Sequence, residues 1–319
     1  MENVVLLADE NSRAWDFAKK IQEYIRKEKC EEVKLYDVPI SFFRNNELQI
    51  DPPENIRKKD VYFIHDSSKN PQQWWIELLL IKDMVLGASA SSLTFVLPNM
   101  LYSRQDRKVK SRVPISARAL ATSISLGTTR IITMDLHAPQ IQGFYPATTP
   151  LDNLYSAPEV VNYLKNTENL DFENLVVVSP DMGGATRAES FAKRIGSKHP
   201  IALIDKRREK PGEIGQMRIV GDVSNKNVLV VDDLIDSGGT LCSAANLLKQ
   251  NGANKLFCYA THGLFTKGTF DLCSCFEKIF VSNTHNQEGN NVTVIDVSSV
   301  FAEAIFRAQK GYSLSQLFK

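Results

Sequence analysis

The sequence predicts an α/β protein of two domains, each a mainly parallel sheet flanked by helices. Three observations predict it. Short apolar runs of strand length alternate with longer helix-periodic segments along the chain, the pattern of repeated βα units. Several of those runs are apolar throughout, Val4-Val5-Leu6-Leu7-Ala8 and Val228-Leu229-Val230-Val231 among them, as strands covered on both faces require. At 319 residues the chain holds about two domains of roughly 150 residues each.

In the first half the apolar runs place strands at 4–8, 33–36, 61–65, 93–97 and 130–136, with helices at 12–29, 71–87 and 115–126. In the second half strands are expected at 175–179, 201–205, 227–231, 256–261, 276–283 and 292–297. Helices are expected at 157–166, 185–195, 240–251 and 300–310. The stretch 143–153 has Pro146, Pro150 and no periodicity, and reads as the boundary between halves. A short echo between Gly87-Ala88-Ser89 and Gly252-Ala253-Asn254, each a helix-ending glycine before a strand, hints at two similar halves. The divisions follow as 1–148, 149–300 and a C-terminal helix and tail at 301–319 that packs back on the first domain.

Composition excludes several classes. Hydrophobic residues make up 43% and charged residues 24%, ordinary for a globular protein. Net charge is +1, so there is no global case for nucleic-acid or membrane binding, and any basic site must be local. The start has no basic leader and no long apolar run, unlike a signal peptide. The richest apolar stretch, 74–86, is broken by Glu77, Lys82 and Asp83 and falls short of the ~20 residues that span a bilayer. Five cysteines without metal-site spacing read as reduced thiols of a cytoplasmic protein.

The most informative run is Val228-Leu229-Val230-Val231-Asp232-Asp233-Leu234-Ile235-Asp236-Ser237-Gly238-Gly239-Thr240. A buried strand ends in two carboxylates, and a small-residue turn with hydroxyl and NH donors opens a helix. Ligands of open α/β sheets bind at the carboxyl ends of strands, and a helix start binds phosphate. Carboxylates cannot hold phosphate, so Asp232 and Asp233 should face hydroxyls or a metal. A sugar phosphate meets both demands. A second glycine turn before a helix, Asp181-Met182-Gly183-Gly184-Ala185-Thr186-Arg187, repeats the design. No G-x-x-x-x-G-K-[ST] run is present, so the chain is not a P-loop kinase.

The turn at 232–240 resembles the phosphoribosyl-pyrophosphate loop of type I phosphoribosyltransferases and ribose-phosphate pyrophosphokinases. Four further segments resemble the second family: Tyr102-Ser103-Arg104-Gln105-Asp106-Arg107-Lys108, Pro114-Ile115-Ser116-Ala117-Arg118, Thr133-Met134-Asp135-Leu136-His137-Ala138-Pro139-Gln140-Ile141-Gln142-Gly143, and Ser179-Pro180-Asp181-Met182-Gly183-Gly184-Ala185. The likeness runs in order from about 61 to 318. It implies two phosphoribosyltransferase type I-like domains, the first on the ATP side and carrying assembly, the second on the ribose 5-phosphate side. It implies transfer of the β,γ-diphosphoryl group of ATP to ribose 5-phosphate, giving phosphoribosyl pyrophosphate and AMP.

Residue by residue, the resemblance implies ATP contacts from Arg104, Gln105, Asp106 and His137, and an adenine site at Phe43, Asn45 and Glu47 formed across a subunit contact. Phosphate and ring hydroxyls of ribose 5-phosphate fall to Asp232, Asp233, Asp236, Ser237, Gly238, Gly239 and Thr240. Asp181, Gly183 and Gly184 would cradle the diphosphate, and His137 with Asp181 would help hold Mg²⁺. Lys206 and Arg208 lie in a basic stretch beside Pro211 and Gly212 and are implied as catalytic cations, Arg208 also touching the sugar phosphate. Two alternatives stay open: a phosphoribosyltransferase sharing the 232–240 turn, and a non-catalytic regulatory subunit, which would not need Lys206 and Arg208. The family also implies a homo-oligomer, from dimer to hexamer, with a regulatory site for ADP or phosphate. Two departures stand out: Asp9-Glu10-Asn11-Ser12-Arg13 replaces a small glycine-containing turn, and Trp74-Trp75 stands where small or polar residues are usual.

Overall fold

A computed structural model of the chain describes residues 1–168, 170–207, 216–285 and 291–318. The chain divides into two compact units, Met1–Tyr155 with Val297–Lys319, and Ser156–Asp296.

The first unit begins with β1 (Val4–Ala8), α1 (Arg13–Lys29) and β2 (Lys34–Asp37). A hairpin of β3 (Ile40–Phe42) and β4 (Leu48–Ile50) follows, then β5 (Asp60–Ile64), α2 (Pro71–Gly87), β6 (Ser92–Leu97), α3 (Ser116–Ser125) and β7 (Arg130–Met134). A 3-10 turn over Pro139–Phe144 leads to β8 (Leu151–Leu154). Six strands form one sheet in the order β2-β1-β5-β6-β7-β8, every neighbouring pair parallel. β1 is buried along its whole length, which is why it carries no polar residue. α2 starts where Asn70 caps the Gln72 amide and Pro71 occupies the first helical position. The paired tryptophans divide the work there. Trp74 is fully buried in the core, while Trp75 donates its indole N–H to Ser123 Oγ on α3 at 2.8 Å.

The second unit runs α4 (Ala157–Thr167), β9 (Leu175–Ser179), α5 (Ala185–Ile195), β10 (Ala202–Arg207), β11 (Gln216–Val220), β12 (Asn227–Ile235), α6 (Gly239–Gln250), β13 (Leu256–Gly263), α7 (Phe270–Cys275), β14 (Lys278–Ser282) and β15 (Val292–Ile295). Its sheet has the order β11-β10-β9-β12-β13-β14-β15, parallel except for the edge pair of β10 and β11. α8 (Ser298–Lys310) then packs on α1 within the first unit, where Phe17 and Phe301 meet edge to face at 5.3 Å. Both sheets share one wiring. The second strand in sequence lies on one side of the first and the third parallel strand on the other, so the order reverses between β1 and β5 and again between β9 and β12.

Four expectations give way. The segment at 143–153, read as irregular, holds the end of the 3-10 turn and most of β8, whose Asp152 and Asn153 pair in register with Ile132 and Thr133. β3 and β4 appear where no strand was expected, three residues each and joined by a polar turn. The expected strand end at 205 moves on: Lys206 and Arg207 belong to β10, which pairs antiparallel with an unexpected β11, Lys206 opposite Met217, while the rest of the basic stretch lies outside the described residues. Gly87 ends α2 inside the helix, and the chain turns instead at Ser89 with φ 60°.

At the reversal point of the first sheet, between the carboxyl ends of β1 and β5, lies a buried charged cluster. Lys69 Nζ sits 2.9 Å from Asp9 Oδ2 and 3.0 Å from Glu77 Oε2, and Gln73 donates to Glu77 Oε1 at 2.7 Å. The His65 ring stacks on Trp74, its Nδ1 accepts the Asp66 amide, and its Nε2 donates to the Trp74 carbonyl at 3.1 Å. Burial, then the Lys69 charge, holds the imidazole down to about 3, so its approach to Glu77 is a contact of a neutral ring and not an ion pair. The unfolded chain therefore takes up a proton that the folded chain refuses between about pH 6.5 and 3. Stability contributed at neutral pH is lost on acidification across that window, with a limiting slope of about 1.4 kcal/mol per pH unit. Burial raises Glu77, which acts in the opposite sense. A His65→Gln chain should show a flatter fall of urea midpoint between pH 7 and pH 4.5, and an unchanged slope would remove His65 as the cause.

Candidate functional site

In an open α/β sheet the crevice for a ligand forms where the strand order reverses, at the carboxyl ends of the two strands involved. In the second unit those strands are β9 and β12, and the two glycine turns singled out in the sequence leave from them.

β12 is longer than its apolar run. It continues to Ile235, so Asp232 and Asp233 lie within the strand and not past its end. Their pairing with β13 explains the extension: Asp232 is opposite Ala260, Leu234 opposite His262 and Ile235 opposite Gly263. The Asp233 amide donates to Asp232 Oδ1 at 2.8 Å. Burial, and next the neighbouring Asp233 charge, push the Asp232 carboxyl well above the usual carboxylate range. Opposing them is Arg187 from the first turn of α5, whose Nη1 is 3.2 Å from Asp233 Oδ1 and 3.7 Å from Asp232 Oδ1.

The turn after β12 carries Asp236, Ser237, Gly238, Gly239 and Thr240 in order, with Ser237, Gly239 and Thr240 exposed. Gly238 has φ +77°, a conformation that favours glycine, and no side chain caps the start of α6. The helix therefore presents uncapped amides to an anion. Thr266 fixes the turn from the far side, its Oγ1 donating to Asp236 Oδ1 at 2.7 Å and its amide to the Asp236 carbonyl at 3.1 Å.

After β9, Asp181 Oδ1 accepts the Gly184 amide at 3.0 Å and the Asp181 carbonyl accepts the Ser179 hydroxyl at 2.7 Å. A Cβ on Gly184 would come within 2.6 Å of Ser179 Oγ, so the close approach of turn and strand requires glycine there. Gly183 and the Asp181 side chain are exposed at the mouth of the turn.

The residues of the first unit gather on a different pair of strands. Arg104, Gln105 and Asp106 follow β6, and His137 follows β7, the next strand in the sheet. Gln140 donates to Asp106 Oδ2 at 2.7 Å and Ser116 to Gln105 Oε1 at 3.0 Å, which ties these loops together. Arg104 and His137 are exposed. Phe43, Asn45 and Glu47 lie apart, in the exposed turn of the β3–β4 hairpin, where the Asn45 side chain accepts the Glu47 amide at 3.2 Å. Lys206 lies on β10, beside an Asp205–Arg218 ion pair of 2.9 Å that joins β10 to β11. Arg208 lies outside the described residues. His137 and Asp181 belong to different units, and among the described residues no three His, Cys, Asp or Glu side chains converge on one metal position. No sequence signal pointed to Thr266, and Arg187 and Gln140 lay within the quoted segments without a role of their own. The cost of two adjacent buried carboxylates was the available signal for a nearby cation, but not for which one.

Comparison with known proteins agrees with this geometry. Residues 5–126 match the N-terminal domain of ribose phosphate pyrophosphokinase, and residues 201–319 match the phosphoribosyl synthetase-associated domain. The ribose-phosphate pyrophosphokinase of Cereibacter sphaeroides strain KD131 is 39% identical over 295 residues, covering 90% of this chain and 87% of that protein. The enzyme of the same name from Rhizobium meliloti strain 1021 is 40% identical over 284 residues, covering 86% of this chain and 90% of that protein. The crystal structure of phosphoribosylpyrophosphate synthetase from Mycobacterium smegmatis has a TM-score of 0.83 to this chain at 31% identity, covering 97% of this chain and 99% of that one. Likeness of this extent across both units, with the two glycine turns on neighbouring strands, makes the chain a member of the ribose-phosphate pyrophosphokinase family.

Proposed function

We infer that the chain transfers the β,γ-diphosphoryl group of ATP to the anomeric oxygen of ribose 5-phosphate, giving 5-phosphoribosyl 1-pyrophosphate and AMP. The observation that carries this reading is the β9–β12 reversal point, with an acidic pair and an uncapped helix start on one strand and a second glycine turn on its neighbour. In this reading the sugar 5-phosphate takes the uncapped amides and hydroxyls at 236–240. Asp232 and Asp233 accept hydrogen bonds from the ring hydroxyls. The amides at Gly183 and Gly184 receive the diphosphate. Arg104, Gln105, Asp106 and His137 hold the nucleotide, and Phe43, Asn45 and Glu47 read adenine from a neighbouring copy.

The anomeric oxygen attacks the β-phosphorus, the bond to the α-phosphate oxygen breaks, and AMP leaves. Lys206, with Arg208, offsets the charge that spreads over the transferring group. Catalysis is by positioning and electrostatics.

Asp181 offers an exposed hard oxygen, the donor type Mg²⁺ takes, and His137 an exposed ring; each would hold the ion together with its own waters and phosphate oxygens. When bound, the ion neutralises triphosphate charge.

The same reading covers assembly and place. Phe42 and Phe43 of the hairpin and Ile76 on α2 are each about half exposed, and we propose that a second copy covers them. Regulation by ADP or phosphate at such a contact belongs to the proposal. None of the five cysteines forms a disulfide, which supports a reducing, cytoplasmic setting. Among the described residues no helix is long and apolar enough to cross a membrane.

The test is AMP release from ATP by the purified chain, followed with and without ribose 5-phosphate. Sugar-dependent AMP formation, one AMP per phosphoribosyl pyrophosphate, is expected. Consumption of phosphoribosyl pyrophosphate with a base, without ATP, would identify a phosphoribosyltransferase instead. No turnover until another subunit is added would identify a regulatory chain.

A further inference from the structure

One side chain outside the assigned set touches both members of the acidic pair. Side chains alternate along a strand, and the core clusters give the faces of β12. Val228 and Val230 pack with Leu241, Ala244 and Leu248 of α6, whereas Leu229 and Val231 pack with Ala188 and Phe191 of α5. Continuing the alternation, Asp232 belongs to the α6 face and Asp233 to the α5 face. The pair is thus divided across the sheet. Arg187 stands at the start of α5 with its guanidinium within 3.7 Å of both carboxylates, and its side chain is only 22% exposed.

A guanidinium is planar and carries fixed N–H directions, so a carboxylate bound to it has its orientation set and its remaining lone pairs aimed elsewhere. Two adjacent buried carboxylates left without such a partner repel each other and are driven to share a proton, which converts one acceptor into a donor. Ribose hydroxyls need acceptors. α6 offers no alternative cation nearby, since its first turn carries no charged residue and its Lys249 lies in the last turn.

We propose that Arg187 is a positioning residue for the sugar: it spans the sheet edge and holds Asp232 and Asp233 as a two-carboxylate acceptor for the ring hydroxyls of ribose 5-phosphate. This rests on the functional reading above. Arg187 acts through the carboxylates and does not itself touch the sugar, so its loss should be read in hydroxyl recognition. ATP recognition should be spared.

The experiment compares wild type, Arg187→Met and Arg187→Lys with ribose 5-phosphate and with 2-deoxyribose 5-phosphate. Arg187→Met should raise KM for ribose 5-phosphate about tenfold or more, the scale of a hydrogen bond to a charged group, with KM for ATP within about threefold. The wild-type preference for the 2-hydroxyl sugar in kcat/KM should shrink, because the deoxy sugar keeps its 3-hydroxyl but has no 2-hydroxyl contact with the acidic pair to lose. Arg187→Lys, which keeps the charge without the fork, should recover part of the preference. In the Asp233→Asn background the further change to Met should cost little, as expected of coupled residues.

Equal losses for both sugars, or an unchanged preference, would overturn the assignment. A parallel rise in both KM values would do the same by showing a general structural role. If Arg187→Met does not fold, the Lys variant alone decides: a preference identical to wild type counts against the fork. Failure of the functional reading is separable, since wild type would then release no sugar-dependent AMP before any variant is compared.

Discussion

Replacement of Lys206 by alanine is expected to lower kcat by about 10²–10³-fold, the usual loss when one preorganised donor to a developing oxyanion is removed. KM for ribose 5-phosphate should stay within about threefold, because the proposed reading gives the sugar phosphate to the 236–240 turn and not to Lys206. The prediction follows from position. Lys206 is near the end of β10, opposite Met217, and the Asp205–Arg218 pair of 2.9 Å ties the two strands beside it. An edge pair of strands can carry a cation toward a charge that exists fully only as the diphosphoryl group transfers. Steady-state kinetics with both substrates decides the matter. If kcat and sugar-phosphate affinity fall by equal factors, Lys206 is a binding residue and the catalytic assignment fails.

Replacement of Lys69 by methionine is expected to destabilise the first unit by about 3–5 kcal/mol, the cost of removing one partner from a buried ion pair. Lys69 is 13% exposed and Glu77 fully buried, so the lysine is the charge that makes a buried carboxylate tolerable, and it reaches Asp9 as well. Without it Glu77 must take a proton or expose itself to water. The loss should therefore shrink at mildly acidic pH, where protonation of Glu77 is easier, and the Glu77→Gln background should recover part of it. All three tryptophans, Trp15, Trp74 and Trp75, lie in the first unit, so their fluorescence during urea unfolding reports that unit. A change below about 1 kcal/mol at neutral pH would show that the cluster does not support the fold. The cluster also fills the reversal point of the first sheet, the location that carries the two glycine turns in the second. The departure at Asp9 is part of it.

What the sequence alone determined was local. Fully apolar runs identified β1, β9 and β12, because a strand covered on both faces admits nothing else. Glycines before a helix identified the turns at 183–184 and 238–239, because backbone approach and an uncapped helix start impose a residue type. The short strands escaped for the complementary reason. β8 reads Leu-Asp-Asn-Leu and β3 Ile-Ser-Phe, segments too polar or too brief to declare themselves, and a neighbouring strand makes them strands. The end of β12 is set by β13 and not by its own hydrophobicity. Only the tertiary structure decided which strands are neighbours. Strand order is a long-range property with no local signature, so the sequence could demand a partner for Asp232 and Asp233, while the adjacency of β9 and β12 brought Arg187 to them.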